Sequence, residues 1–297
     1  MVLRAFYEHQ FARLKLVAIN SPATVDHCAH LISYDSVHGR FLKEISTQDQ
    51  TMIIDGQKIT YSRERDPNKA GWDKLDVDIV LECSGKFNDA EQASAHLKAG
   101  AKKVLISAPA KGAVKNCVFG VNHQTLKPQD QLISNASCTT NALAPLIKAI
   151  DDRLPIENGY MTTIHAYTND QNNLDNSHRD LRRARACALS MIPTTTGAAS
   201  MVGKIMPHLQ GRIDGTAIRV PVANVSLIDF VCTLDKSPSL DPQSLNKIMR
   251  EASEGYMKGI LGYSHKPLVS IDFNHSSEMT MKEAIFGITS AAFGSKR

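Results

Sequence analysis

Short apolar runs alternate with helical segments along the first half of the chain, and this alternation constrains the fold more than any other feature. Strands are predicted at residues 14–20, 77–85, 101–109 and 130–135, and helices at 2–9 and 89–100. Because a helix between two strands allows them to run parallel, the pattern predicts an α/β domain with a doubly wound, Rossmann-like parallel sheet. Ligands of such sheets bind at the carboxyl ends of the strands.

The second half has a different texture and predicts a second domain. β-branched and aromatic side chains, which favour strands, are frequent at residues 159–167, 216–222 and 225–235. Residues 241–257 form an amphipathic helix, and Asp241 is placed to cap its first turn. We therefore expect an α+β domain with a mixed or antiparallel sheet over 138–297, after a first domain over 1–137.

Composition excludes several classes of protein. The chain has 297 residues, of which 42% are hydrophobic and 22% charged, close to the average for globular proteins. It has no uninterrupted apolar run of the roughly 18 residues that a membrane span needs, and its first residues lack the apolar core of a signal peptide. We expect a cytoplasmic protein with no membrane partner. A net charge of +4 suits small anionic substrates but is too weak to indicate nucleic acid.

Six cysteines are scattered without any CxxC pair, which disfavours both a metal site and a disulfide framework. One of them, Cys138 in SNASCTTNALAP, precedes apolar residues at helical spacing and so lies near a helix N-terminus. The helix macrodipole there favours the thiolate, which is the nucleophilic form. Pro145 predicts a kink or an irregular first turn in this helix. On local context alone, a structural cysteine is the more common alternative.

A nucleophilic cysteine needs a base, which often lies far away in the sequence. His165, near the end of the predicted strand 159–167, is a candidate for this base. A histidine in a strand is more often a structural side chain, so His165 by itself leaves both interpretations of Cys138 open.

Five motifs occur in a defined order after residue 133. They are SNASCTTNALAP, TTIHAYTNDQ, HRDLRRARA, IPTTTGAAS and AIRVPVANVSL. In this combination the chain resembles the phosphorylating glyceraldehyde-3-phosphate dehydrogenase family. The upstream stretches VAIN, YDSVHGRF, ERDP and ECSG resemble the nucleotide-binding half of the same family. The resemblance runs from the first residue to about residue 277, and it implies an NAD(P)-binding domain over 1–137 and a catalytic domain over 138–297.

The resemblance implies a role for each matching residue of the catalytic domain. Cys138 would attack the aldehyde carbon of glyceraldehyde 3-phosphate, and His165 would help to ionise the thiol and act as a general base. The hemithioacetal would give up a hydride to a nicotinamide cofactor, and inorganic phosphate would cleave the resulting thioester to 1,3-bisphosphoglycerate. The implied phosphate-binding residues are Thr168 and Arg219 for the substrate, and Ser137, Thr139, Thr196 and Gly197 for inorganic phosphate.

The resemblance also implies a set of cofactor-binding residues: Asn20, Ser21, Arg65, Ser84, Gly85, Ser107, Asn176 and Ser177. NAD-specific relatives have Asp directly after AIN, where this chain has Ser21. A carboxylate would repel a 2′-phosphate, whereas a serine can donate a hydrogen bond to it. NAD-preferring relatives also have Leu-Pro where this chain has Asn176-Ser177. We therefore expect NADP to be preferred over NAD.

The resemblance further implies a glycolytic oxidoreductase that assembles as a homotetramer. HRDLRRAR, residues 178–185, contains four arginines, and three aspartates lie close by at 170, 175 and 180. In the family this loop lies at subunit contacts beside the cofactor. We therefore expect ion pairs and subunit contacts here, and not nucleic-acid binding.

Both ends depart from the family pattern. The chain opens inside the predicted helix 2–9, without the strand and G-x-G-x-x-G loop that normally come first. After Ser277 the sequence lacks the family's Asn-Glu-Trp-Gly motif. We expect the first domain to be incomplete at its N-terminus and the second at its C-terminus. Two alternatives stay open: a catalytically impaired remnant with a structural or interaction role, and erythrose-4-phosphate dehydrogenase, which shares the cysteine–histidine chemistry.

Overall fold

Two folding units divide the chain. The first contains residues 1–106, 110–114 and 129–133, and the second contains residues 107–109, 115–128 and 134–297. The computed structural model describes residues 1–9, 11–235, 240–276 and 280–283. Of the segment after Ser277, where the sequence departs from the family pattern, everything except 280–283 lies outside the described residues.

Helices and short strands alternate through both units. The α-helices of the described residues are α1 (Val2–His9), α2 (Val25–Ser33), α3 (Ala90–Lys98), α4 (Cys138–Asp151), α5 (Ala198–Ile205) and α6 (Pro242–Glu254). The strands are β1 (Ala18–Asn20), β2 (Tyr34–Asp35), β3 (Gly39–Arg40), β4 (Ile45–Gln48), β5 (Thr51–Ile54), β6 (Gln57–Ser62), β7 (Ile79–Glu82), β8 (Lys103–Ile106), β9 (Lys115–Asn116), β10 (Leu132–Ser134), β11 (Ile156–Ala166), β12 (Ile192–Thr194), β13 (Ile213–Val220), β14 (Leu227–Leu234), β15 (Leu261–Ser264) and β16 (Thr280–Glu283).

The first unit contains a four-stranded sheet in the order β1-β6-β5-β4. β1 and β6 run parallel, whereas β5 pairs antiparallel with both β6 and β4. Alternate side chains of β5 and β6 point into the core, so that Met52, Ile54, Ile59 and Tyr61 are buried. The apolar faces of α1 and α2 pack against this cluster.

The same unit also has a parallel sheet in which β7, β8 and β10 are neighbours in that order. β7 and β8 run parallel and are connected through α3. Gly100, just after α3, has φ +107°, and a Cβ there would lie 2.5 Å from the backbone nitrogen of Asp73, so glycine is required. Parallel strands connected by a helix confirm the predicted Rossmann-like α/β class.

The second unit is built on a mixed sheet in the order β12-β13-β11-β14. β11 runs parallel to β13 and antiparallel to β14, and β12 runs antiparallel to β13. Leu143 and Ile147 of α4, Val202 of α5 and Met161 of β11 have no exposed surface and share one core cluster. This arrangement confirms the predicted α+β domain with a mixed sheet.

Each predicted strand and helix overlaps an observed one, although the strands of the first unit are shorter than predicted. The prediction of an irregular first turn at Pro145 is wrong. α4 is continuous from Cys138 to Asp151, and Asn141 N–H donates to the Ser137 carbonyl at 2.9 Å, as in a regular helix. Pro145 is buried in the core, and this burial offsets the loss of its N–H donor.

The sequence patterns do not predict α2, α5 or the β4–β6 strands. These segments contain only short apolar runs. Their secondary structure is therefore determined more by packing within each unit than by local sequence. In the part of the chain that the structure describes, no helix combines the length and apolar character needed to cross a bilayer.

Candidate active site

Cys138 is the first residue of α4, and its side chain is exposed. Ser137 caps the helix, because its Oγ accepts a hydrogen bond from Thr140 N–H at 3.0 Å. Ala136, just before the cap, has φ +54°, a left-handed conformation that costs a residue with a Cβ about 1–2 kcal/mol. Its N–H donates to Ser134 Oγ at 3.1 Å, which helps to hold this sharp entry into the helix. The thiol therefore lies where the helix N-terminus favours a thiolate.

The candidate base lies directly beside this thiol. His165 is 8% exposed near the end of β11, and its Nε2 is 3.3 Å from Cys138 Sγ. The hydrogen bond from His165 lowers the pKa of the Cys138 thiol; burial opposes this shift, and the charge of His165 and hydrogen bonds from Thr139 add to it. The pKa of Cys138 thus lies below that of an ordinary cysteine, and a larger fraction is thiolate at neutral pH.

Arg219 contacts the other side of the imidazole. β11 and β13 run parallel with His165 opposite Arg219, so the sheet register brings the two side chains together. Arg219 Nη1 lies 2.9 Å from His165 Nδ1, donates to the Ala166 carbonyl at 3.0 Å, and reaches Thr168 Oγ1 at 3.4 Å. His165 Nδ1 lies 2.6 Å from the same carbonyl. Burial lowers the pKa of Arg219, but a guanidinium stays charged at neutral pH.

One donor of Arg219 remains unused. Its Nε is buried and has no hydrogen-bond partner among the described residues. A buried N–H without a partner is costly unless something fills the position. Together with the exposed Thr168 hydroxyl, this guanidinium has the chemistry of an anion site.

A second polar segment, residues 194–197, follows β12. Thr196 Oγ1 accepts a hydrogen bond from Ala198 N–H at 3.2 Å, and Gly197 stands at the N-terminus of α5. Arg183 holds the start of this segment: its Nε donates to Thr194 Oγ1 at 3.0 Å, and its Nη2 donates to the Thr195 carbonyl at 3.3 Å. Arg183 also pairs with Asp170. The arginine-rich loop therefore fixes the segment that contains Thr196 and Gly197.

The structure brings part of the predicted catalytic set into direct contact. Short polar contacts link Cys138 to His165, His165 to Arg219, and Arg219 to Thr168. Ser137 and Thr139 adjoin Cys138 at the start of α4. In the described part of the chain, no hydrogen bond joins residues 194–197 to these side chains. Thr196 and Gly197 remain predicted phosphate-binding residues.

The predicted cofactor-binding residues are divided between the two units. Asn20, Ser21, Arg65, Ser84 and Gly85 belong to the first unit, and Ser107, Asn176 and Ser177 belong to the second. Asn20 links β1 to the chain after β6, because its side chain accepts from Glu64 N–H at 2.9 Å and donates to the Glu64 carbonyl at 2.9 Å. Asn176 Oδ1 accepts from Ser177 N–H at 2.7 Å.

The residues of the first unit fit a nicotinamide dinucleotide. The Arg65 guanidinium is exposed and has no hydrogen-bond or ion-pair partner among the described residues. Ser21 lies just beyond the carboxyl end of β1. Gly85 has φ +72°, and nothing lies within 4 Å of the position a Cβ would take. A hydroxyl, a free guanidinium and an open glycine turn beyond the ends of parallel strands suit phosphate and ribose groups.

Sequence reasoning missed two groups of residues around these sites. Gln171 is buried, and its Oε1 accepts from Thr168 N–H at 3.2 Å. In the first unit, Glu82 and His96 form a buried pair at 3.0 Å. The position of Gln171, three residues after Thr168 in TNDQ, could have signalled the first of these contacts. The second joins residues 14 positions apart and has no local signal.

The described residues were compared with the side-chain groupings that a metal ion needs. Within residues 1–9, 11–235, 240–276 and 280–283, no three His, Cys, Asp or Glu side chains come together as a metal site requires. The six cysteines are free thiols, and of these only Cys138 and Cys83 are exposed. The side chains that the structure brings together around Cys138 are an imidazole, hydroxyls and a guanidinium group.

Models of known protein families match both halves of the chain. The model of the glyceraldehyde 3-phosphate dehydrogenase NAD binding domain matches residues 1–90. The model of the C-terminal domain of the same enzyme matches residues 137–292, so this match continues past Ser277, where the sequence motifs end.

Curated relatives agree with the family models. The plasmid-encoded glyceraldehyde-3-phosphate dehydrogenase of Cupriavidus necator is 50% identical over 277 residues, which cover 93% of this chain and 82% of that protein. The enzyme of Pseudomonas aeruginosa is 49% identical over 95% of this chain and 84% of its own length. Glyceraldehyde-3-phosphate dehydrogenase 2 of Bacillus subtilis is 47% identical over 88% of this chain and 77% of its own length.

Proposed function

Since the chain belongs to the glyceraldehyde 3-phosphate dehydrogenase family, we propose that it oxidises glyceraldehyde 3-phosphate, with inorganic phosphate and NAD(P)+, to 1,3-bisphosphoglycerate. The observation that carries this proposal is the 3.3 Å contact between Cys138 Sγ and His165 Nε2 at a helix N-terminus. A thiol beside a base, facing anion-binding groups, suits covalent oxidation of a phosphorylated aldehyde.

In the first step, Cys138 is the nucleophile. Its thiolate forms a bond to the aldehyde carbon, and the aldehyde oxygen takes up a proton to give a hemithioacetal. His165 holds the thiol proton at Nε2, gives that proton to the aldehyde oxygen as the C–S bond forms, and takes it back from the hydroxyl when the carbon is oxidised to the thioester. When bound, the nicotinamide cofactor supplies the hydride acceptor for this oxidation.

In the second step, inorganic phosphate attacks the thioester carbonyl. A phosphate oxygen forms a bond to the carbonyl carbon as the C–S bond breaks, the proton of the attacking phosphate passes to solvent, and Cys138 leaves as the thiolate that its lowered pKa favours. His165, again beside the sulfur, is placed to keep that thiolate hydrogen-bonded. The cycle therefore returns the site to its starting charge state.

Two anion subsites are proposed for the two phosphates. Arg219 and Thr168 would bind the phosphate of the aldehyde, and the unused Nε of Arg219 supports this assignment. Ser137, Thr139, Thr196 and Gly197 would bind inorganic phosphate. The support here is that hydroxyl groups and helix N-termini suit phosphate oxygens.

We infer that NADP is preferred over NAD. A carboxylate at position 21 would repel a 2′-phosphate, whereas Ser21 does not, and the Arg65 guanidinium is a free cation of the same unit. Asn176 and Ser177 supply further small polar groups for the same cofactor.

We also propose a homotetramer, a glycolytic role in the cytoplasm, and a division of labour between a cofactor-binding domain at 1–137 and a catalytic domain at 138–297. Support for assembly comes from apolar side chains that are largely exposed in one stretch of the second unit: Leu174, Leu181, Leu189 and Met191. Association of chains would remove such exposed apolar side chains from water.

The test is an initial-rate assay on the purified chain. Reduced cofactor is followed at about 340 nm with glyceraldehyde 3-phosphate, phosphate, and NADP+ or NAD+ in turn. Phosphate-dependent reduction with a lower KM for NADP+ supports the proposal. Faster turnover of erythrose 4-phosphate would favour the related dehydrogenase, and no reduction with any substrate would favour the impaired remnant.

A further inference from the structure

A chain of buried hydrogen bonds runs from the only tryptophan of the protein to the Ser84–Gly85 turn. Trp72 Nε1 donates to His96 Nδ1 at 3.1 Å, and His96 Nε2 lies 3.0 Å from Glu82 Oε2. Glu82 Oε1 accepts from Ser84 N–H at 2.7 Å and from the Ser84 hydroxyl at 2.5 Å. All four residues lie in the first unit.

The inner links of this chain are shielded from water. Trp72, His96 and Glu82 are 6%, 4% and 6% exposed, whereas Ser84 and Gly85 are exposed. A buried carboxylate must be well hydrogen-bonded to remain. Burial raises the pKa of Glu82, but the hydrogen bonds from His96 and Ser84 outweigh it and hold that pKa below its usual range.

The direction of each hydrogen bond is determined by chemistry. An indole nitrogen can only donate, so His96 Nδ1 must accept and carries no proton. The single imidazole proton is then on Nε2, where it donates to Glu82. Because a carboxylate only accepts, Ser84 must donate its hydroxyl proton to Glu82. In this series of hydrogen bonds, every donor therefore points toward Glu82, either from the Trp72 side or from the Ser84–Gly85 turn.

This polarity leaves the Ser84 hydroxyl as an acceptor toward solvent. Its proton is used on Glu82, and one lone pair accepts from Lys86 N–H at 3.1 Å. One lone pair remains for a ligand. A hydroxyl in this state receives a hydrogen bond from an alcohol or an amide N–H, and it cannot donate to a phosphate.

We propose that Glu82 and His96, anchored by Trp72, are positioning residues of the cofactor site, which orient the Ser84 hydroxyl to accept a hydrogen bond from a ribose hydroxyl or the carboxamide of the cofactor. The inference rests on the proposed function, since Ser84 and Gly85 are predicted cofactor-binding residues. It extends that function, because it states that Ser84 binds a neutral hydrogen-bond donor of the cofactor and not one of its phosphates.

Glu82→Gln is the most informative variant, because it has the same shape. In the glutamine side chain, an NH2 group replaces one of the two carboxylate oxygens. This NH2 would face either the N–H of His96 Nε2 or the two donors of Ser84, and because two donors repel each other, one of these contacts must break. The disturbance reaches either the turn or, by way of the His96 tautomer, Trp72. His96→Leu removes both bonds of the imidazole, and His96→Gln retains a donor for Glu82.

The experiment measures binding of NADP+ and of NAD+ by calorimetry without aldehyde, alongside Trp72 emission and hydrogen exchange of the 84–86 amides in the free protein. Glu82→Gln and His96→Leu should raise the Kd of the cofactor about tenfold. Both should also speed exchange at residues 84–86 and shift Trp72 emission. His96→Gln should recover part of the affinity. KM for the aldehyde, which binds in the other unit, should stay within about twofold of wild type.

Met52→Ala is the matched control. Met52 is buried in the core cluster between the β5–β6 strands and α2, so that its truncation should destabilise the first unit without touching the Ser84–Gly85 turn. If it weakens cofactor binding as much as Glu82→Gln at equal loss of thermal stability, the positioning role is overturned. If wild type binds neither cofactor, the proposed function fails instead. The positioning role is then tested by hydrogen exchange of the 84–86 amides and by Trp72 emission in the free protein. Unchanged values of both in Glu82→Gln overturn it.

Discussion

The Cys138 thiol lies among groups that stabilise negative charge. His165 Nε2 is 3.3 Å away, Thr139 adds hydrogen bonds, and the N-terminus of α4 adds its dipole. Burial acts in the opposite direction but is outweighed, so the pKa of Cys138 is lowered. The thiolate is thus stabilised in the folded protein; this contribution to stability exists above the pKa of the unfolded thiol and is lost as pH falls through the folded pKa.

Alkylation of Cys138 by iodoacetamide should follow its ionisation. Because an ordinary thiol has a pKa of about 8.5, the rate should reach half its maximum below that pH and fall at lower pH as the thiolate is protonated. His165→Asn removes the largest cause of the shift, so its midpoint should move upward. The measurement is the rate of labelling of the Cys138 peptide against pH. The same midpoint in both proteins would refute the role of His165.

At this scale, the sequence paired Cys138 with His165, which the structure shows in contact, but it did not predict the residues that support them. Cys138 and His165 are 27 positions apart, and ordered motifs were enough to associate them. Arg183 and Gln171 hold the neighbouring loops through contacts that depend on how those loops fold. The series of side-chain hydrogen bonds from Trp72 to Ser84 was not predicted, for the same reason. Hydrogen bonds across loops leave no periodic signal in a sequence.

Among the elements, the N-terminus of α4 combines structural and chemical roles. Ser137 caps the helix, and the same residue is a proposed phosphate ligand. α6 begins with an equivalent cap, in which Asp241 accepts from Ser244 N–H at 2.6 Å. The two caps can therefore be compared directly.

Ser137→Ala should lower the free energy of unfolding by about 1 kcal/mol, and Asp241→Ala should also lower it, because each removes one helix cap. Only Ser137→Ala should also raise the KM for inorganic phosphate, by several-fold. Urea denaturation and phosphate titration measure the two effects. An equal rise in phosphate KM in both variants would assign the effect to stability, and would remove Ser137 from the phosphate site.

Element prediction was most accurate where the hydrophobic pattern was long. α1 and α6, and the strands that contain His165 and Arg219, were located from sequence. The β4–β6 strands were not, since polar side chains interrupt their apolar residues, unlike the more continuous apolar runs at 77–85 and 101–109. The irregular first turn predicted from Pro145 is wrong, because α4 is regular from Cys138 onward, and the predicted kink stays a prediction.

For the whole molecule, the division into two units agrees with two matched family domains, while the boundary at 137/138 stays a prediction. Strand alternation in the sequence was sufficient for the α/β class of the first unit. It was not sufficient for the mixed sheet order β12-β13-β11-β14, which brings His165 opposite Arg219 through pairing of strands more than 45 residues apart.

Cofactor preference is a property of the complete nucleotide-binding surface and can be tested at one residue. Ser21→Asp should weaken NADP+ binding by about tenfold or more, because a carboxylate repels the 2′-phosphate, and should leave NAD+ binding equal or tighter. The ratio of kcat/KM for the two cofactors gives the result. An unchanged ratio would show that position 21 does not select the cofactor.

Assembly can be tested through the exposed apolar stretch of the second unit. Leu189 is 86% exposed, and Leu189→Asp should lower the molar mass measured by light scattering from about four chains of 32.6 kDa. Leu42→Asp is the matched control, since Leu42 is 94% exposed but belongs to the first unit. A monomeric wild type, or an equal effect of both variants, would contradict the proposed role of this stretch.

The central claim is that Cys138 carries the substrate during oxidation. The most direct measurement is mass spectrometry of the protein mixed with glyceraldehyde 3-phosphate and NADP+ in the absence of phosphate. We predict one acyl group per chain, located on the peptide that contains Cys138, formed together with one equivalent of reduced cofactor and released on addition of phosphate. Cys232→Ser should behave as wild type, and Cys138→Ser should form no adduct. Cofactor reduction in Cys138→Ser, or an acyl group on another cysteine, would contradict the claim.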